Sequence, residues 1–180
     1  MENNLSEKVQ NEVKENVVAG IVGAFLFSLA GGLLWFVIYL CGFIASISGL
    51  VGAVCAIKGY SVFAKKESTK GIIIAVIISV LVIVLAWYLC LAYDVYTVHK
   101  EGFEAGEIDY TVSFFEAVSV SYFYLTDPEI APAYFKNLGI GLLFCAIGGG
   151  SYVVNKIRGA KAAKALNAKS EAPAEDEADA

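Results

Sequence analysis

The sequence predicts an all-α membrane protein with four transmembrane helices and an amphipathic helix in the outer connection between spans three and four. Three observations predict it. Of the 180 residues, 58% are hydrophobic, against about 45–50% in an ordinary soluble domain. The excess is gathered into three uncharged runs at 16–57, 71–93 and 137–155. Lysine and arginine fall almost entirely on one side of those runs once they are threaded through a bilayer.

Residues 1–16 form a polar N-terminal segment. Leu5, Val9 and Val13 are spaced four apart and so share one helical face. Four glutamates stand there against two lysines. A signal peptide needs a basic start and a short apolar core, so this segment does not read as one.

The first uncharged run, 16–57, covers 42 positions. As a single helix it would be about 63 Å long at ~1.5 Å per residue, roughly twice the ~30 Å of bilayer hydrocarbon. The chain therefore turns back within it. The reading places span one at about 17–38, a tight turn near 39–42, and span two at about 43–62. Residues 58–70 are a basic turn carrying Lys58, Lys65, Lys66 and Lys70 against Glu67. Span three follows at about 71–93, the outer loop at 94–136, and span four at about 137–155, so that 17–155 is one transmembrane domain. A basic then acidic tail, 156–180, ends the chain. Its Ala/Glu/Asp composition from about Ser170 cannot bury a core, so disorder is expected there.

Orientation follows from the basic residues. Segments 1–16, 58–70 and 156–180 hold 11 of the 13, which places both termini on the cytoplasmic side of a cell membrane. Trp35, Tyr39, Trp87, Tyr88 and Tyr93 fall near the outer ends of their spans, and Tyr60, Phe63 and Tyr152 near the inner ends, the levels that amphipathic rings favour.

Helices in lipid associate through close backbone approach, which small residues permit. Span one carries Gly20, Ala24, Ser28 and Gly32 at a four-residue interval, span two Ala45, Gly49 and Ala53, and span four Gly141, Cys145 and Gly149. Spans one, two and four are expected to pack tightly on these stripes. Between Ile72 and Leu85 the only small residues of span three are Ala75 and Ser79, so that span is expected at the periphery. The same geometry could serve a homodimer face.

The outer loop 94–136 holds eight carboxylates against Lys100 and Lys136. Ser113-Phe-Phe-Glu116 has capping-box spacing. It opens a short amphipathic stretch with Phe114, Val118, Tyr122 and Leu125 on one face, lying in the interface or re-entrant. Thr126-Asp127-Pro128-Glu129 is a second helix start, with proline early where its missing N–H is harmless. Helix should resume near Pro128 and bend near Pro132. His99, Glu101 and Glu104, with Glu107 beyond, are weak candidates for a hard cation. A solvated acidic loop is the simpler reading.

The chemistry of a soluble enzyme is missing. No P-loop, HExxH, GxSxG or dinucleotide-binding glycine pattern occurs. No catalytic residue and no cofactor is called for. Net charge is −5, which argues against a nucleic-acid partner. Cys41, Cys55, Cys90 and Cys145 lie in apolar segments without a CxxC and read as small packing residues; a Cys41–Cys90 disulfide is the alternative. The uncharged runs lack the intramembrane ionisable residues that pumps and proton-coupled carriers use.

The runs Gly20-Ile-Val-Gly23-Ala24, Leu34-Trp35, Tyr39, Lys58-Gly59-Tyr60 and Tyr124-Leu-Thr-Asp-Pro128-Glu129 resemble those of small, uncharacterised four-span integral membrane proteins of bacteria. The resemblance covers about 17–155. It implies a bacterial cytoplasmic membrane and carries no activity with it. The expected partners are the lipid bilayer and a second copy or another membrane protein. The expected function is non-enzymatic, through helix-mediated assembly. The alternative is a small channel or transporter component with an acidic outer vestibule. An enzyme would have to build its site from Asp94, His99 and the nearby glutamates. The topology is checked with an impermeant thiol reagent in a cysteine-free background: a thiol at Glu104 should label from outside, and thiols at Lys66 and Ala178 should not.

Overall fold

The computed structural model describes residues 14–41 and 47–170. The expectations for Leu5, Val9, Val13, Ala45 and the tail beyond Ser170 lie outside those residues. The described chain is helical, with no strand. Its elements are α1 (Val17–Leu40), α2 (Ser48–Ala64), α3 (Thr69–Glu104), α4 (Phe114–Val120), a 3-10 helix (Ser121–Thr126) and α5 (Ala131–Ser170).

Local chemistry explains the ends. Asn16 caps α1 by accepting from the Ala19 N–H at 3.1 Å. Lys65 closes α2 in the left-handed region, φ 57°. Ser68 caps α3 through the Gly71 N–H at 2.9 Å. These groups satisfy donors that a helix start leaves orphaned.

Among the described residues three helices are long and apolar enough to cross a membrane: α1, α3 and the Ala131–Gly159 part of α5. The fourth apolar helix, α2, has 17 residues, about 25 Å at ~1.5 Å per residue, and falls short of that length. Three of the four spans read at about 17–38, 43–62, 71–93 and 137–155 thus have a helix of membrane-crossing length, and the one at 43–62 does not among the described residues. The outer loop is also shorter than 94–136. α3 runs on through Asp94 to Glu104 and α5 begins at Ala131, because a charged residue ends an apolar run without ending a helix. The stop comes at Gly106, φ 73°. Pro132 sits in the first turn of α5, where a proline costs no hydrogen bond.

The four long helices run up, down, up, down. α1 and α5 lie at opposite corners, while α2 and α3 face each other across the short diagonal. α1 and α2 meet backbone to backbone. A methyl at Gly23 would strike the Gly59 carbonyl, one at Gly59 the Gly23 carbonyl, and one at Gly31 the Gly52 Cα. α2 meets α5 in the same way, with Gly49 against the Gly141 carbonyl. Tyr60, 2% exposed, lies between Gly20 and Gly71. The Trp35 ring reaches from α1 to Gly141 of α5 and is fully buried.

Of the predicted packing residues, Gly20, Ala24, Ser28, Gly32, Gly49, Ala53, Gly141 and Gly149 are all buried. Gly32 faces Val82 and Ala86 of α3, and Gly149 faces Val76 of α3. The α1–α2 seam itself uses Gly23, Gly31, Gly52 and Gly59.

The peripheral position expected for α3 is overturned. It packs against α1, α2 and α5, and Ala75, Ser79, Val82, Ile83, Ala86 and Cys90 are buried along one face. Small residues continue on that face past Leu85, at Ala86 and Cys90, beyond the stretch on which the expectation rested. Gly31→Leu and Ser79→Leu should therefore both destabilise the bundle, by about 1–3 kcal/mol each, as overpacking does. Gly150→Leu, at a position with nothing within 4 Å, should change little. Thermal unfolding in detergent, followed by circular dichroism, checks all three.

Candidate functional site

The two ends of the bundle differ in chemistry. At one end Glu15 accepts hydrogen bonds from the Tyr60 hydroxyl (2.9 Å) and the Ser68 hydroxyl (2.6 Å). Asn16 N–H donates to the Ala64 carbonyl at 3.3 Å. Nearby Lys156 pairs with Glu67 at 3.8 Å, and the Lys58 ammonium sits 5.8 Å from the Tyr152 ring centre. These contacts tie the start of α1 to the α2–α3 turn, and that turn to α5.

The other end is built around Asp94. One carboxylate oxygen, Oδ2, accepts from both the Tyr39 hydroxyl of α1 and the Tyr134 hydroxyl of α5. The two hydroxyl oxygens are 3.5 Å apart. Three helices thus converge on one oxygen. Trp87 Nε1 donates to the Tyr134 carbonyl at 2.9 Å and holds the start of α5 against α3. Buried Cys90 lies one turn before Asp94 on α3. Trp35 lies one turn before Tyr39 on α1, and among the described residues its buried Nε1–H has no partner.

Three-helix convergence was not legible in the residues. Asp94 was counted into an outer loop, and its partners are 55 and 40 positions away. The available signal was modest: Asp94 is the first charge after 23 uncharged residues, and Tyr39 and Tyr134 flank the neighbouring runs at the same level.

The connection between α3 and α5 packs over this end. The capping box is present: Ser113 Oγ accepts from Glu116 N–H at 3.4 Å, and Glu116 Oε2 accepts from Ser113 N–H at 2.7 Å. The face expected from α-helical spacing differs. α4 stops at Val120 and a 3-10 turn follows, so the period changes midway. Ala117 and Ser121 point inward, fully buried, while Tyr122 is exposed. Ala117 packs with Leu91 and Val95 of α3. Tyr88 OH donates to the Val118 carbonyl at 2.7 Å. Phe115, 83% exposed, with Tyr122 and Phe123, forms the outward surface.

The weak metal candidates do not converge. His99 Nδ1 lies 2.8 Å from the Val95 carbonyl, and its ring packs on Tyr110. Glu104 is exposed and 3.9 Å from Lys100, and Glu101 is exposed. Among the described residues no three His, Cys, Asp or Glu side chains gather as a ligand set. All four cysteines are free.

α5 presents a face that the other helices leave open. Gly139, Leu143, Ala146, Ile147, Gly150 and Val154 are exposed, at spacings that share one side of a helix. Around Ala146 and Gly150 the face is hollowed, and the hollow continues to Ser151, Asn155 and Arg158.

Two predictions test these features. Tyr39→Phe with Tyr134→Phe strips Asp94 of both donors and should destabilise the bundle. Adding Asp94→Leu should recover about 1–3 kcal/mol, since an unpartnered half-buried polar group costs more than its removal. Denaturant titration in micelles reads both. The Ser113 backbone N–H, then its hydroxyl, hold the Glu116 carboxyl below its ordinary 4.5. A depressed folded value means that charged Glu116 supports α4 above that ordinary value and loses this contribution as pH falls through the lowered one. Amide-exchange protection in α4 should drop in that acid range. Glu116→Gln, which keeps the box geometry, should remove the pH dependence.

No protein-family model matches the chain, and no curated protein and no solved structure does either. A functional reading therefore stands on this geometry.

Proposed function

We propose that the protein is a non-enzymatic integral membrane protein that acts by helix-mediated assembly, with a second copy or another membrane protein. One observation carries the reading: the open face of α5. The small-residue seams of α1, α2 and α3 are consumed inside the chain. Gly139 and Gly150 of α5 have nothing within 4 Å, and Leu143 and Ile147 beside them are 60% and 50% exposed. Small residues flanked by aliphatic ones are what close helix association in lipid uses.

In this reading α2 is a fourth, short crossing, enclosed by α1, α3 and α5 and accommodated by local bilayer thinning. Both termini are cytoplasmic, because the α2–α3 turn and the second half of α5 share one end and carry most of the basic residues. The resemblance to bacterial four-span proteins supports a bacterial cytoplasmic membrane as its location.

A second reading, a small channel or transporter component, is favoured by Asp94. It is an ionisable group on a helix apolar enough to cross a membrane, and such residues commonly mark ion pathways.

Benzophenone photo-cross-linking in native membranes tests assembly. A probe at Leu143 should yield protein adducts, and one at Leu26 of α1 should not. Adducts at neither position, together with a cation flux in proteoliposomes that Asp94→Asn abolishes, would replace assembly with the transport reading.

A further inference from the structure

We infer that the groove between α1 and α3 holds the acyl chain of one bilayer lipid. Its walls are Leu29, Leu33 and Phe36 of α1 and Leu85 and Leu89 of α3, and Phe114 of α4 roofs one end. The volume is about 230 Å³. The two helices run parallel here, as the Gly32–Val82 and Phe36–Tyr93 contacts show. The walls therefore rise side by side for about 10 Å, seven residues at ~1.5 Å each.

The floor explains the recess. Gly32 and Ala86 face each other where larger residues would close the gap, and a methyl at Gly32 would already lie 3.0 Å from Val82 Cγ1. Around this low floor Leu33 and Leu85 stand outward, 67% and 51% exposed. The roof is fixed: Phe114 follows the Ser113 cap and packs edge-on against Tyr96 of α3, ring centres 6.3 Å apart.

What fills the recess follows from where it lies. α1 and α3 are both long and apolar enough to cross a membrane, so the groove opens sideways into hydrocarbon rather than into water. No lining side chain carries a donor or acceptor, so the occupant needs no hydrogen bond. An empty recess would forfeit dispersion contacts along both walls. A flexible hydrocarbon chain enters from the side and ends under Phe114. Nothing in the wall reads a headgroup, so retention should depend on the chain alone.

The inference rests on α1 and α3 lying in the bilayer, and the test separates the two claims. Trp reporters are placed at Phe114, over the groove, and at Leu26, 50% exposed on α1 outside it. Each variant is reconstituted in phosphatidylcholine with brominated acyl chains, which quench tryptophan on contact, and then diluted into excess unbrominated detergent. Both reporters should be quenched in the bilayer. After dilution Leu26→Trp should recover at once, and Phe114→Trp should stay quenched at least tenfold longer. Leu85→Phe, at a wall position 51% exposed, narrows the groove and should abolish that delay while leaving the quenching of Leu26→Trp in the bilayer unchanged. Simultaneous recovery of both reporters overturns the inference and leaves the membrane reading intact. Quenching of Leu26→Trp without Phe114→Trp means that protein covers the groove, which also overturns it. If neither reporter is quenched, α1 is not in lipid and both claims fall.

Discussion

Backbone contact between α1 and α2 is the constraint on which the rest of the bundle depends. Gly23 and Gly59 each occupy the space into which the other's Cβ would project, and two turns further along a Cβ on Gly31 would strike the Gly52 backbone. With no side chain between them, the two helices lie closer than ordinary packing allows, and together they offer one surface to α3 and α5. Two large residues then set the remaining distances. Tyr60 fills the slot between Gly20 and Gly71 and locates the start of α3. Trp35 crosses to Gly141 and spaces α1 from α5, which meet again at the Tyr39 and Tyr134 hydroxyls. Dispersion is the main attraction available between helices in lipid, so this alternation of bare backbone and bulky ring leaves little room for substitution.

The two ends share a design. Each has a carboxylate that accepts from two hydroxyls on separate parts of the chain: Glu15 from Tyr60 and Ser68, Asp94 from Tyr39 and Tyr134. Hydroxyl donors suit a low-dielectric setting, because they bind the charge without bringing a second ion that must itself be desolvated. The core between the two ends is apolar, built from two clusters centred on Trp35 with Ile83 and on Tyr60 with Ile72. The Glu15 and Asp94 contacts therefore act at the ends, where they fix which residues of neighbouring helices stand level, and the Ser79 Oγ–Cys145 Sγ contact at 3.7 Å lies between them.

Much of this was legible in the residues. The fold-back within 16–57 follows from length alone, and the small residues of α1 and α5 mark buried positions because small side chains have few other reasons to recur every fourth residue. The capping box at Ser113 was readable because its chemistry is local. Four things were not. Asp94 ends an uncharged run, yet nothing after it breaks helix before Gly106. α3 was taken as peripheral because its aliphatic residues suit lipid, but a helix can show aliphatics to lipid and Ala75, Ser79, Ala86 and Cys90 to its neighbours. The partners of Asp94 come from two other helices, and sequence spacing carries no information about such pairings. The change from α-helix to 3-10 at Ser121 likewise has no clear local cause, and it turned Tyr122 outward.

The glycine seam also bears on the order in which the chain becomes structured. α1 and α2 occupy residues 17–64 and are joined by a short connection, so their mutual contact carries a small loop-closure cost. Synthesis proceeds from the N-terminus. The hairpin is complete once Ala64 has been added, well before Tyr134 exists to reach Asp94. A backbone-to-backbone contact therefore belongs to the earliest-made part of the chain, and α3 and α5 are made after it. A fault in the seam is therefore present once Ala64 has been made, whereas a fault at the Asp94 end takes effect once Tyr134 has been added.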